Sequence, residues 1–169
     1  MRDLAQVAHA NAHGRADAAE LTRFCTHCGS LFEAPTSTPE RPLRGRVCSN
    51  CGLGMVLTCS NELVSRPGGA FLVVTSDLLV SAASEGAERM LDSGQGLHGR
   101  PLLSVLTSPA GVAELARRVV RAATGDRAIY ELPVHPAAKR LANVSLAARI
   151  GHCGMPPAAL VVVEATGSA

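Results

Sequence analysis

From Ala70 onward, apolar and polar residues fall into short strand-like segments interrupted by one long helical stripe. Phe71–Thr75 is a nearly unbroken apolar run, Ser76-Asp77 is a turn pair, and Leu78–Ala83 follows as its partner, which predicts a β-hairpin. Ser84 precedes Glu85–Leu91, whose Glu85 and Glu88 lie in the first turns where the helix dipole favours acid, so Ser84 is expected to cap a short helix. Leu97–Leu106 reads as an irregular or one-turn stretch. In the next segment Val112, Leu115, Ala116, Val119, Val120 and Ala123 form one helical face, with Arg117, Arg118 and Arg121 off it. Ser108 as N-cap, Pro109 in the first turn and Gly125 as the stop bound that helix. Three strands remain. Ala128–Val134 alternates moderately, Val144–Ile150 alternates cleanly, and Leu160–Val163 is continuously apolar, as for a strand covered on both sides. Gly151–Pro157 is read as the turn between the last two, with His152 and Cys153 at its tip.

The first part of the chain is patterned differently. Leu4, Val7 and Ala8, then Ala18 and Leu21 beyond Gly14, recur at helical spacing, which predicts one or two short helices too thinly apolar to stand alone. Ala34–Gly45 carries Pro35, Pro39 and Pro42 among small polar residues and is loop chemistry. Asn61–Gly69 ends in Pro67-Gly68-Gly69 and reads as a linker. The expected division is a helical arm over 1–22, a cysteine-bearing unit over 23–60, a linker over 61–69 and a larger domain over 70–166.

Composition narrows the functions open to such a chain. Aromatic residues are 2% of 169, and net charge is +2. The charges divide evenly about Gly69, with seven basic and six acidic residues before it and nine and eight after it. Neither a base-stacking surface nor a phosphate-neutralising one is available in strength, so nucleic acid is not the expected partner. Arg41, Arg44 and Arg46 are the only support for the alternative, a transcription-associated reader, and Glu33 and Glu40 dilute them. Apolar runs are too short to span a bilayer and the first residues lack a secretory pattern, so the expectation is a cytoplasmic protein.

Six cysteines in that compartment point to metal rather than disulfides. Cys25-Thr26-His27-Cys28-Gly29 and Cys48-Ser49-Asn50-Cys51-Gly52 are two copies of CxxCG. Two intervening residues let both sulfurs of a turn face one point, and the following Gly permits the positive φ that closes it. Cys25, Cys28, Cys48 and Cys51 are therefore expected to hold one structural zinc ion. So small a unit needs the metal to fold. Iron and a redox pair of disulfides are the alternatives, and a thiol or zinc redox sensor is the function the latter would carry. His27, between two ligands, is expected to face solvent, and Cys59 to be a small apolar strand residue. The arrangement of knuckle, loop, knuckle and then a strand at Met55–Thr58 resembles the zinc ribbon family, which implies binding or scaffolding and no particular partner.

The larger segment resembles a PAS domain. Ser84-Glu85-Gly86-Ala87-Glu88-Arg89-Met90-Leu91 stands where that family has Asn-x-Ala-Ala-Glu-x-x-Leu, with Ser for Asn, and Gly99-Arg100-Pro101-Leu102 matches its Gly-x-Pro-Leu. The resemblance implies a five-stranded antiparallel sheet with helices on one face and a role in sensing or protein contacts; with the segment that resembles a zinc ribbon, the expected fold is α+β, a small four-cysteine zinc ribbon joined to a PAS-like domain. It also implies a pocket, for which Val112, Leu115, Ala116 and Val119 are the candidate lining. The flavin-reactive cysteine segment and the haem-ligating histidine on the long helix are absent, so neither flavin nor haem is expected. No nucleophile stands beside a base and there is no phosphate loop of the required spacing. The expectation is a non-enzymatic sensory or regulatory protein, a homodimer, whose PAS-like domain binds a small apolar ligand or a partner protein.

Overall fold

The two unbroken apolar runs become the middle of an antiparallel sheet. The computed structural model describes residues 21–33, 46–64, 69–91, 96–138, 141, 143–154 and 156–166. Residues 1–20 of the arm expected over 1–22, with Leu4, Val7 and Ala8, lie outside these residues, as do Arg41 and Arg44. Among the described residues nine strands, β1 (Leu21–Cys25), β2 (Leu31–Glu33), β3 (Val56–Ser60), β4 (Ala70–Val74), β5 (Val80–Ala83), β6 (Leu106–Thr107), β7 (Tyr130–Pro136), β8 (Leu146–Cys153) and β9 (Ala158–Ala165), are joined by two α-helices, α1 (Glu85–Leu91) and α2 (Val112–Ala123). Neighbours run β2-β1-β3-β8-β9-β4-β5, and β7 pairs with both β8 and β6. Every one of these pairings is antiparallel.

Alternation along the central strands sorts side chains into two cores. On one face Ala70, Leu72 and Val74 of β4, Ala159, Val161 and Val163 of β9, and Leu146, Ala148 and Ile150 of β8 meet Ala87 and Leu91 of α1 and Leu115, Val119, Ala122 and Ala123 of α2. On the other, Phe71, Val73, Leu160, Val162 and Cys153 meet Phe24, Leu57, Cys59, Leu63 and Val64. Both faces are thus dry, which is why β4 and β9 read as continuous apolar runs rather than alternating ones. The strands β5-β4-β9-β8-β7, with α1 and α2 on one face, are the α+β arrangement that the PAS resemblance implies. Ser84 caps α1 as expected: its Oγ accepts from Ala87 N–H at 3.1 Å and Phe71 N–H at 3.0 Å and donates to the Gly69 carbonyl at 2.9 Å.

Several expectations are corrected. Leu21 is not on a helical face; it opens β1, where Leu21–Cys25 pair with Val56–Ser60. The long helix starts a turn later than Ser108, because that hydroxyl donates to the Pro133 carbonyl at 2.8 Å and Gly111 N–H closes a turn onto the Ser108 carbonyl at 2.9 Å. Gly111 is the N-cap. Nor does 151–157 form one turn: β8 runs on to Cys153, which is fully buried, and His152 Nδ1 lies 3.0 Å from the Ala122 carbonyl at the end of α2. The expected linker contains two buried residues, Leu63 and Val64. No helix among the described residues is long and apolar enough to cross a membrane.

One edge of β8 is shared. Its Leu146–Ile150 portion pairs with β7, and its last residue, Cys153, pairs with Cys59 of β3. The N-terminal strands therefore continue the sheet end to end with β7. Leu63 sits over Gly151, where an added Cβ would lie 2.3 Å from Leu63 Cδ1, and Phe24 meets Phe71 edge-on with ring centroids 5.3 Å apart. A larger residue at 151 would require the Leu63 side chain to shift.

Candidate metal centre

The two CxxCG segments fold as two similar turns. Each opens at a buried cysteine, Cys25 at the end of β1 and Cys48 just after the isolated bridge between Val47 and Met55. Gly29 N–H donates to the Cys25 carbonyl at 3.1 Å and Gly52 N–H to the Cys48 carbonyl at 2.9 Å. Both glycines have φ of 69°, the left-handed conformation that the spacing anticipated. Thr26 locks the first turn to the strand beyond the second, accepting from Met55 N–H at 3.0 Å through Oγ1 and donating its own N–H to the Met55 carbonyl at 2.9 Å.

All four sulfurs lie within 4.8 Å of one another. Cys25 Sγ is 3.7 Å from Cys51 Sγ, and Cys28 Sγ is 3.8 Å from Cys48 Sγ. A tetrahedron with metal–sulfur bonds of about 2.3 Å has edges of about 3.8 Å, so these two opposite edges already have the length that thiolates around zinc require. Disulfides would need sulfurs about 2 Å apart; all six cysteines are free. The donor set fits a single divalent ion held by Cys25, Cys28, Cys48 and Cys51.

Backbone and side-chain donors surround these sulfurs. His27 and Cys28 N–H point at Cys25 Sγ at 3.4 and 3.5 Å. Asn50 Nδ2 donates to Ser30 Oγ at 2.8 Å, which leaves the Ser30 O–H for Cys28 Sγ at 3.1 Å. The Ser30 hydroxyl, with the Ser30 N–H, pulls the Cys28 thiol down to about 6, and the N–H groups of Gly54 and Leu53 lower Cys51. Burial pushes Cys25 up to about 12. A dication held by the four sulfurs would offset that burial by compensating the negative charge. Gly54 is required by closeness: a Cβ there would lie 2.4 Å from Cys25 Sγ and 2.8 Å from His27 N and Cβ. His27 itself is exposed, as expected.

Ser30, Asn50 and Gly54 escape a reading of the sequence; the second glycine in Gly52-Leu53-Gly54 is the signal that could have found one of them. The candidate pocket residues Val112, Leu115, Ala116 and Val119 all lie on α2. Leu115 and Val119 are fully buried in the core, Ala116 is half-buried, and Val112 is 50% exposed at the start of α2. A cavity of about 160 Å³ lies elsewhere, between Leu91, Arg100, Ser104, Val105, Ala137 and Ala138. The arginines of α2 face charges of this chain: Arg117 and Arg118 pair with Glu114, and Arg121 pairs with Asp126 at 2.6 Å. Arg118 and Arg121 also lie over the Tyr130 ring, 5.5 and 5.6 Å from its centroid.

No family model and no curated protein matches the chain. Among solved structures, it is similar to the PAS domain of a Desulfitobacterium hafniense protein at 17% identity and a TM-score of 0.45, over 57% of this chain and 92% of that one.

Proposed function

We propose that this chain is a non-enzymatic sensory or regulatory protein that acts through protein contacts, in which a zinc ribbon covers the outer face of a PAS-like sheet. The observation that carries the reading is the second core, where Phe24, Leu57, Leu63 and Val64 close over Phe71, Val73, Leu160 and Val162. Four thiolates saturate a zinc ion and leave no position for substrate, so the metal is structural. The inner core supports contact over enclosure of a ligand, because Leu115 and Val119 pack directly against the sheet. A homodimer is the assembly we propose, with the signal leaving through its contacts in the cytoplasm.

Native mass spectrometry of the full chain from its own host tests this. The expected result is a dimer carrying one zinc per chain and no organic adduct. A stoichiometric small molecule retained by the protein would replace the contact reading with a ligand-sensing one. A monomer at tens of micromolar would refute the dimer, and metal-free folded protein would refute the ribbon.

A further inference from the structure

The seam between β3 and β8 has one partnered pair, and both of its residues are cysteines outside the metal cluster: Cys59 opposite Cys153. The neighbouring positions fix the geometry of this pair. Gly154 N–H donates to the Thr58 carbonyl at 2.7 Å, so Thr58 and Gly154 occupy the hydrogen-bonded position. Antiparallel pairs alternate, which puts Cys59 and Cys153 in the non-hydrogen-bonded position, where α-carbons stand about 4.5 Å apart and side chains approach most closely. That separation lies inside the roughly 4.4–6.8 Å range a disulfide spans. Both side chains point to the same face, into the core between the N-terminal strands and the sheet, at 2% and 0% exposure.

We propose that Cys59 and Cys153 are a dithiol site that a low-molecular-weight disulfide oxidises to an intramolecular disulfide, covalently tying the metal-bearing unit to the sheet. The reaction balances in two exchanges. The thiolate of one cysteine attacks a sulfur of the external disulfide, forms a mixed disulfide and expels one thiolate. The second cysteine then attacks its partner's sulfur and expels the other, so two protein thiols are oxidised while the reagent is reduced to two thiols. Burial raises the Cys59 thiol to about 12 and, with Cys59 beside it, raises Cys153 as well. The closed seam is therefore unreactive, and exchange proceeds through local opening of a junction with a single registered pair. Closing a loop of about 95 residues then restricts the unfolded chain.

The experiment uses the full-length, zinc-loaded protein and oxidised glutathione, with warming below the unfolding midpoint to open the seam. Peptide mapping without reductant should find Cys59 joined to Cys153, the protein two hydrogens lighter, and its metal retained. The thermal midpoint should rise by about 5–10 °C and return with reductant. Cys59→Ala and Cys153→Ala should each abolish the rise, while the map of the unaltered protein stands even if a variant does not fold. Two free thiols after prolonged exposure, glutathione held permanently on either cysteine, or linkage to Cys25, Cys28, Cys48 or Cys51 with loss of metal would each overturn the proposal.

Discussion

Removing the metal should unfold the sheet together with the cysteine-bearing unit. Chelation, or Cys48→Ser, would delete the proposed metal centre beside β1, β2 and β3, and with it the cover formed by Phe24, Leu57, Leu63 and Val64. Four large side chains on the outer sheet face, Phe71, Val73, Leu160 and Val162, are 2%, 3%, 0% and 7% exposed beneath that cover. Uncovering them at about 1.5–3 kcal/mol each costs about 6–12 kcal/mol. That is comparable to the whole net stability of a typical domain, about 5–15 kcal/mol. A linker at Pro67-Gly68-Gly69 suggests separate cores and a surviving larger domain; the shared core predicts a single loss instead. Calorimetry of the chelated protein should show no transition from the sheet at the original temperature, and amide exchange across 70–165 should become fast along with that of 21–60. Persistent protection of β4, β8 and β9, with a midpoint within a few degrees of the metal-loaded protein, would refute the reasoning.

Gly54→Ala should prevent stoichiometric metal uptake, because the new methyl overlaps Cys25 Sγ; full zinc content by elemental analysis would contradict the crowding argument. Ser84→Ala should destabilise by about 2–4 kcal/mol in denaturant titration, since it removes the α1 cap and strands Phe71 N–H and the Gly69 carbonyl. A loss under about 1 kcal/mol would mean water replaces the hydroxyl. Asp126 is held down to about 2 by the Tyr130 hydroxyl, then by Ala128 N–H and Arg121. Its depressed pKa contributes stability above the ordinary carboxylate value, lost as pH falls toward about 2. Carbon-detected NMR titration should place its midpoint near about 2, moving upward in Tyr130→Phe; an ordinary value in the parent protein would contradict the hydrogen-bond geometry.

Local signals were legible in proportion to how locally they act. The Ser84 cap and Glu85–Leu91 helix need only their own few residues, and the CxxCG turns need only their own glycines. Leu160–Val163 announced a strand dry on both faces without saying what covers it. What stayed hidden depends on distant partners. Leu21 joins a strand because β2 and β3 flank β1 across the metal turns, not because of its neighbours in sequence. Gly151 and Gly154 look like turn punctuation, yet Gly151 lies in β8 beneath Leu63, and a Cβ on Gly154 would stand 3.1 Å from Leu57. Ser108 has the chemistry of a cap but gives its hydroxyl to a strand carbonyl 25 residues later. In the site, the four ligands follow from spacing; the Ser30 hydroxyl and the Gly54 approach follow only from three-dimensional closeness.

The end-to-end seating of β3 beside β7 on one edge of β8 also imposes an order on synthesis. Cys51 completes the four-cysteine cluster, but the strand that receives Cys59 ends at Cys153, 94 residues further along the chain than Cys59 (153 minus 59). At about 5–20 residues per second, translation of that interval takes roughly 5–19 s. Throughout it, a metal-loaded unit can exist while the apolar surface of Phe24 and Leu57 lacks the part of its cover that β8 and β9 supply. This segment of the nascent chain therefore carries an incompletely covered aromatic and aliphatic patch for seconds. A chaperone or a neighbouring nascent chain would meet that patch before β8 does.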